Sequence, residues 1–92
     1  MRQTKLELYI DVLKIVAQSG SLNFSKLARE SNISSSGLKK YLDFLLAQDM
    51  LEKQKVGKKK TTYSIAEKGI NVLRYFNELK QELQIINQAE ES

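Results

Sequence analysis

The 92-residue sequence predicts a mainly α-helical domain with one small β-hairpin and a long C-terminal helix. Apolar residues recur at helical spacing through most of the chain, whereas two strand-forming stretches flank a glycine–lysine turn at residues 57–60. The chain contains no proline and no low-complexity linker that would divide it. Its length suits one domain. We assign residues 1–66 to a helical body with the hairpin, and residues 67–92 to a final helix of the same compact unit.

The first helix is predicted to begin at a capping box. Thr4 and Glu7 are spaced so that the side chain of each residue can accept a hydrogen bond from the backbone amide of the other. The helix runs to about Gln18, and its polar residues form one narrow stripe, which indicates packing on more than one side. Gly20 is free to adopt the left-handed conformation that ends a helix.

Two shorter helices follow. Asn23, or alternatively Ser25, caps a helix of about two turns. Residues 32–34 form a turn, and Ser34 caps a third helix over residues 35–48. The inward face of this third helix carries leucines at i, i+4 and i+7: Leu38, Leu42 and Leu45.

The last third of the chain contains the hairpin and the final helix. Residues 50–56 and 61–65 are compatible with strands, and Gly57-Lys58-Lys59-Lys60 is the predicted hairpin tip. A helix begins at about Glu67 and continues almost to the end. A helix over residues 67–88 would be roughly 33 Å long.

The composition excludes several classes of function. The chain has no cysteine and no histidine, so disulfides, thiol nucleophiles, the usual zinc ligands and the usual general base are excluded. We therefore expect no enzyme, no catalytic residues, no metal, no cofactor and no small-molecule ligand. No apolar run approaches the ~18 residues of a membrane span, and the N-terminus lacks a signal-peptide core. These features predict a cytoplasmic protein.

Charge is distributed unevenly along the chain. Residues 1–65 contain twelve Lys/Arg and six Asp/Glu, a net charge of +6, whereas residues 66–92 contain three and five, a net charge of −2. A basic body with an acidic tail favours a polyanionic partner for the body. The alternative is that the lysines only keep the surface hydrated.

The spacing of the central residues resembles a known superfamily. Leu27-Ala28, Ile33-Ser34, Leu38, Leu42 and Leu45 are separated by four, three, three and two residues, and Tyr63-Ser64-Ile65-Ala66-Glu67-Lys68-Gly69 follows. In this order, over residues 22–70, they resemble the core and the wing exit of the winged helix-turn-helix superfamily. The resemblance implies that the hairpin is the wing.

A narrower resemblance covers nearly the whole chain. Residues 38–45 and the long final helix are similar to the small archaeal winged-helix DNA-binding proteins, which act as chromatin proteins or regulators. In that family a C-terminal antiparallel coiled coil makes the dimer, and the resemblance implies the same here. Two residues depart from the pattern. Asp49 stands where glycine is usual, which leaves the C-cap geometry of the third helix open. Ala66 replaces the common capping Thr, so the start of the final helix is either frayed or capped by Ser64.

Two groups of residues are candidates for DNA contact. The third helix offers three serines at its positive end and two lysines one turn later, and phosphates are bound by hydroxyls, lysines and N-terminal amides. The hairpin supplies five lysines in eight residues. The alternatives are a cap with a solvated face, and lysines that protect an edge strand from aggregation. The candidate DNA-binding residues are Ser34, Ser35, Ser36, Lys39, Lys40, Lys53, Lys55, Lys58, Lys59 and Lys60.

The final helix carries a predicted dimer seam. Its large apolar residues are spaced 4-3-4-3, which is a heptad pattern. The alternative is that the helix folds back onto its own domain, which suits the first two residues better than the last three. The candidate interface residues are Val72, Phe76, Leu79, Leu83 and Ile86. The sequence leaves the coiled coil open between parallel and antiparallel.

These features predict a homodimeric protein that binds double-stranded DNA, chiefly through phosphates, as a transcriptional regulator or an architectural, nucleoid-associated chromatin protein. Residues 34–43 contain no Arg, Asn or Gln, the residues that best read base edges, which predicts low sequence specificity. The alternative is a winged-helix module that binds an acidic protein partner. RNA binding ranks third, because Tyr41 is the only aromatic residue expected near the basic face.

Overall fold

A computed structural model describes residues 4–58 and 60–91 of the chain, with side chains described as far as residue 83. Within these residues lie four helices and one three-stranded antiparallel sheet, which confirms the predicted fold class. The elements in chain order are α1 Lys5–Ser19, β1 Leu22–Asn23, α2 Phe24–Ser31, α3 Ser35–Ala47, β2 Leu51–Val56, β3 Lys60–Ile65 and α4 Glu67–Glu91. In the described part of the chain, no helix is both long and apolar enough to cross a membrane.

Polar side chains begin the first three helices. The Thr4 hydroxyl accepts from the Glu7 amide at 3.2 Å and donates to the Glu7 carboxylate at 3.2 Å. The cap therefore forms as predicted on the Thr4 side, although the Glu7 carboxylate meets the hydroxyl rather than the Thr4 amide. Asn23, not Ser25, caps α2, because its side-chain oxygen accepts from the Lys26 amide at 2.8 Å.

The sheet contains one strand that the sequence did not predict. β3 lies in the middle, with β2 on one side and the two-residue β1 on the other. Leu22 of β1 pairs with Tyr63, and Leu51 of β2 pairs with Ile65. β1 is too short for an alternating pattern, so its buried Leu22 is its only distinguishing feature.

The core is formed mainly by α1 and α3 against the sheet. α1 contacts α2, α3, α4 and β3, which confirms the expectation that this apolar helix packs on more than one side. The three predicted inward leucines of α3 are fully buried. The buried apolar residues are Ile10, Val12, Leu13, Val16, Leu22, Leu27, Leu38, Leu42, Leu45, Leu51 and Tyr63.

Asp49 ends α3 in the conformation that glycine usually adopts. Its φ is +60°, in the left-handed region. The Asp49 amide donates to the Leu46 carbonyl at 3.0 Å, and the Met50 amide donates to the Leu45 carbonyl at 3.0 Å. This pair of bonds is the Schellman motif. The departure from glycine thus leaves the turn geometry intact, at the cost of backbone strain.

Gly69, in the first turn of α4, lies directly against the loop that enters the hairpin. The Met50 carbonyl accepts from the Ala66 amide at 3.0 Å and occupies the space that a side chain at residue 69 would need. A Cβ at residue 69 would overlap this carbonyl and lie 2.8 Å from Ile65 Cγ1. Only glycine allows α4 to approach the hairpin this closely.

Candidate nucleic-acid interface

The N-terminal turn of α3 presents the predicted serines. Ser34 caps the helix, since its hydroxyl accepts from the Gly37 amide at 3.3 Å. The side chains of Ser35, Ser36, Lys39 and Lys40 are all exposed. Ser34 is thus engaged in the helix cap, whereas Ser35 and Ser36 offer exposed hydroxyls beside the positive end of the α3 dipole.

The register of the hairpin determines where its lysines lie. Lys53 is opposite Tyr63, and Lys55 is opposite Thr61. Residues that pair directly across an antiparallel ladder share one face of the sheet. Lys53 and Lys55 therefore lie on the same face as Tyr63, beyond the point where the core ends, and both are exposed.

α3 adjoins this face of the hairpin. Burial raises the pKa of the Tyr63 hydroxyl, and the negative charge of Asp43 on α3 raises it further. Asp43 is one turn after Lys39, so these two residues lie on the wing side of α3. α3 also contacts β2, the strand that carries Lys53 and Lys55, so the wing side of α3 borders this strand. We call this surface, formed by Ser35, Ser36, Lys39, Lys40, Lys53 and Lys55, the α3–wing face.

Lys60 does not join the α3–wing face. It pairs with Val56, one position out of phase with Lys55, and so lies on the opposite face of the hairpin. Lys60 also lines a shallow cleft of about 290 Å³ beside the start of α2, together with Asn23, Phe24, Ser25 and Thr61. Lys58 is exposed in the hairpin turn, and Lys59 lies outside the described residues.

Tyr41 belongs to an aromatic cluster between α1 and α3. The Tyr9 ring meets the Tyr41 ring edge-on, with centroids 5.3 Å apart, and stacks on the Phe44 ring at 4.6 Å. These contacts fix α3 on α1 and engage one edge or face of each ring. The sequence singled out Tyr41 alone and carried no signal for its contact with Tyr9 on α1.

The predicted dimer seam divides into two parts. Val72 and Phe76 are half-buried and pack against the core of their own domain. Leu79 and Leu83 are 42% and 52% exposed. The side chain of Ile86 lies outside the described residues. Among the described seam residues, the first two thus contact their own domain, whereas Leu79 and Leu83 stay about half exposed, and the dimer seam itself stays a prediction.

A groove, which we call the α1/α4 groove, runs between α1 and the middle of α4. Its volume is about 430 Å³. The α1 wall is formed by Glu7, Ile10, Asp11 and Lys14, and the α4 wall by Phe76, Leu79, Lys80 and Leu83. Tyr75, which is 68% exposed and one turn before Leu79, was missed by the heptad spacing. Its i, i+4, i+8 spacing with the two leucines is the signal that could have found it.

Comparison with a protein-family model decides the family. The model described as winged helix-turn-helix matches residues 2–84. The chain belongs to this family. Curated protein sequences give no match.

Solved structures share the winged helix-turn-helix fold with this chain. Sso10a-2, a DNA-binding protein from Sulfolobus solfataricus, is 22% identical with a TM-score of 0.75, over 98% of this chain and 90% of its own. RV1404 from Mycobacterium tuberculosis is 18% identical with a TM-score of 0.76, over 88% of this chain and 58% of its own. A MarR mutant from E. coli in complex with operator DNA is 14% identical with a TM-score of 0.69, over 73% and 49%. The chain thus spans only about half of the latter two proteins.

Proposed function

We propose that this chain is a homodimeric winged-helix protein that binds double-stranded DNA, as a transcriptional regulator or an architectural chromatin protein rather than an enzyme. Residues 1–66 would form the DNA-binding unit and residues 67–92 the dimerisation helix. The observation that carries the proposal is the α3–wing face, where exposed lysines of α3 and β2 adjoin the serine-capped start of a helix.

The chemistry of this face suits phosphate contacts. Lysine makes point-charge contacts and lacks the planar fork of arginine, while serine hydroxyls and N-terminal amides donate to phosphate oxygens. The major groove of B-DNA accommodates one α-helix. α3 would lie in or along this groove, with Lys53 and Lys55 on the flanking backbone.

Sequence discrimination by this face is expected to be low. α3 itself carries no Arg, Asn or Gln, so affinity would depend on phosphates more than on base edges. Asp43 places a negative charge at the wing side of α3. A carboxylate there favours contact with a cytosine amino group over any contact with phosphate.

Two of the similar structures support a DNA partner. Sso10a-2 is a DNA-binding protein, and the MarR mutant is in complex with operator DNA. Both share the fold of this chain at low sequence identity. The proposal of a dimer is supported by this chain's own residues, because Leu79 and Leu83 leave large apolar surface exposed on α4.

Duplex binding at two salt concentrations tests the proposal. If a dimer neutralises roughly 6–10 phosphates, affinity should fall by about 10³–10⁵ between 50 and 200 mM salt. Random-sequence and genomic duplexes should bind to a similar extent. The measurement is a fluorescence-anisotropy titration with labelled duplex, and poly-glutamate serves as the competing acidic partner.

Two results would contradict the DNA proposal. A nearly flat salt dependence would exclude an interface built on phosphates. Tighter binding to poly-glutamate than to duplex at equal charge concentration would favour a protein-interaction module. The Lys68→Ala variant is the control for lysine replacements on the α3–wing face. Lys68 is exposed in the first turn of α4, outside that face, so this variant should bind duplex like the wild type.

A further inference from the structure

The aromatic cluster of Tyr9, Tyr41 and Phe44 has an accessible side. The Phe44 ring stacks on the Tyr9 ring, with centroids 4.6 Å apart and an angle of 18° between the planes, so Tyr9 covers one face of Phe44. Phe44 is nevertheless 42% exposed. The exposed surface of this ring therefore lies on its other face and its edges. A flat ring that is held on one side and open on the other can stack with a further planar group.

The Tyr9 ring gives Phe44 a rigid support. Tyr9 is half-buried and packs against the core of the domain. It also meets the Tyr41 ring edge-on, with centroids 5.3 Å apart. These contacts fix the ring on which Phe44 rests. A planar ligand that stacks on Phe44 would therefore cost little side-chain freedom.

A lysine lies one helical turn before each of the two stacked rings. Lys40 precedes Phe44 on α3, and Lys5 precedes Tyr9 on α1, and both lysines are exposed. Residues four apart share one side of a helix. Ser36 lies one further turn before Lys40 on the same side of α3. The row from Ser36 through Lys40 to Phe44 thus makes the aromatic cluster continuous with the α3–wing face.

The acidic residues of α1 and α3 lie on other surfaces. Glu7 and Asp11 of α1 line the α1/α4 groove. Asp43 of α3 lies near Tyr63, on the wing side. The aromatic cluster therefore combines an open ring face with positive charge from both of its helices. A nucleotide has matching chemistry, because its base stacks on aromatic rings and its phosphate is attracted to lysines.

The base must be unpaired, because bases inside a duplex stack on one another, whereas single strands can present them to aromatic side chains. We propose that Phe44, supported by Tyr9, stacks an unpaired nucleobase of single-stranded nucleic acid while Lys40 and Lys5 attract the flanking phosphates. This site adds a single-strand activity beside the proposed duplex-binding face. From the sequence, Tyr41 alone was expected near the basic face, whereas the structure brings two more rings beside it.

Two oligomers that differ only in their bases test the site. One is labelled oligothymidylate of about 12 nucleotides, a length within the range that single-strand-binding modules cover. The other is the same oligomer with abasic sugars throughout, which keeps every phosphate. The wild-type chain should bind oligothymidylate at least about fivefold more tightly than the abasic oligomer in anisotropy titrations. This comparison needs no variant, so it decides the proposal by itself if a variant fails to fold.

Phe44→Leu tests the ring. Leucine keeps an apolar side chain against Tyr9 but offers no planar face. The variant should bind oligothymidylate at least about fivefold more weakly than the wild type. It should bind the abasic oligomer and the duplex like the wild type, because removing the base and removing the ring eliminate the same contact. Circular dichroism verifies that its helices are intact.

The matched control is Tyr75→Leu. It also replaces an exposed ring with leucine, but on α4, where Tyr75 is 68% exposed. This variant should bind oligothymidylate like the wild type. Oligouridylate of the same length supplies the same stacking chemistry from RNA. The ratio of its affinity to that of oligothymidylate identifies which kind of strand the site prefers, and base-dependent binding of either oligomer supports the site.

The remaining outcomes separate this site from the duplex proposal. Binding that depends on the base, is lost in Phe44→Leu and is kept in Tyr75→Leu supports the nucleobase site. If the wild type binds the abasic oligomer equally well, if both leucine variants lose affinity equally, or if no single strand binds, the site is wrong. Salt-dependent duplex binding would then still support the proposed function. Base-dependent single-strand binding without duplex binding would overturn the duplex proposal and leave the nucleobase site standing.

Discussion

The α3–wing face and the α1/α4 groove lie on the same small domain but differ in the chemistry of their exposed side chains. The α3–wing face has lysines and serines that water hydrates fully, so it is stable as it stands and gains only when an anion arrives. The groove has large apolar side chains that are still partly in contact with water, and burying the remaining half of Leu79 or Leu83 would contribute roughly 1 kcal/mol each. Salt should therefore weaken the first interaction strongly and the second only slightly.

The largest expected effect is the dissociation of the dimer. Leu79→Asp with Leu83→Asp would place four carboxylates in the interface of two chains, and an unpaired buried charge costs several kcal/mol. The double variant should be monomeric at micromolar concentration by light scattering. It should also bind duplex more weakly, because the two DNA-binding units (residues 1–66 of each chain), which we call the heads, are no longer linked in one dimer.

The control for this variant introduces the same charges elsewhere on α4. Asn77→Asp with Gln81→Asp places two carboxylates on the opposite side of the helix, where both residues are exposed. This variant should remain a dimer. If both double variants dissociate, net charge rather than the seam explains the result; if neither dissociates, the exposed leucines are not the interface.

A smaller effect is expected from the hairpin tip. Replacing Lys58, Lys59 and Lys60 with Ala should weaken duplex binding to a similar extent for every sequence and reduce the salt slope by about one for each phosphate that is no longer neutralised. Anisotropy titrations at several salt concentrations measure both quantities. Dimerisation should be unchanged, which would show that DNA binding and dimerisation use different surfaces.

Replacements on α3 sharpen this result. Ser36→Ala or Lys39→Ala should change any preference among duplexes more than the tip variant does, because α3 is the element proposed to lie in the major groove. Equal reductions in affinity from both sets on every duplex would mean that α3 reads no bases.

The smallest effect is expected at Asp49, away from both surfaces. Asp49→Gly should raise the free energy of unfolding by about 0.4–1 kcal/mol, since glycine adopts the left-handed φ of this turn without strain. Urea unfolding measures it. Asp49→Ala removes the same charge but keeps a Cβ, so it should give no gain. Stabilisation by both variants would point to charge instead of backbone conformation.

Local features of the fold were predictable from the sequence, whereas features that depend on register were not. Short-range signals placed the caps at Thr4 and Asn23, and the leucine spacing identified the buried side of α3. β1 was not predicted, because a strand of two residues shows no alternation of apolar and polar residues. Lys60 could be recognised as basic, but its separation from Lys55 depends on strand pairing. The α1/α4 groove depends on how two helices that are distant in sequence pack against each other.

The close approach of Gly69 to the Met50 carbonyl has a geometric consequence for the proposed dimer. With no side chain between them, the direction of α4 is set by main-chain atoms of the loop that enters the hairpin. The separation and the rotational phase of the two heads along a duplex would then be properties of the backbone. Surface substitutions would change how tightly each head holds DNA, whereas a bulkier residue at position 69 would change which turns of the double helix the two heads can reach together.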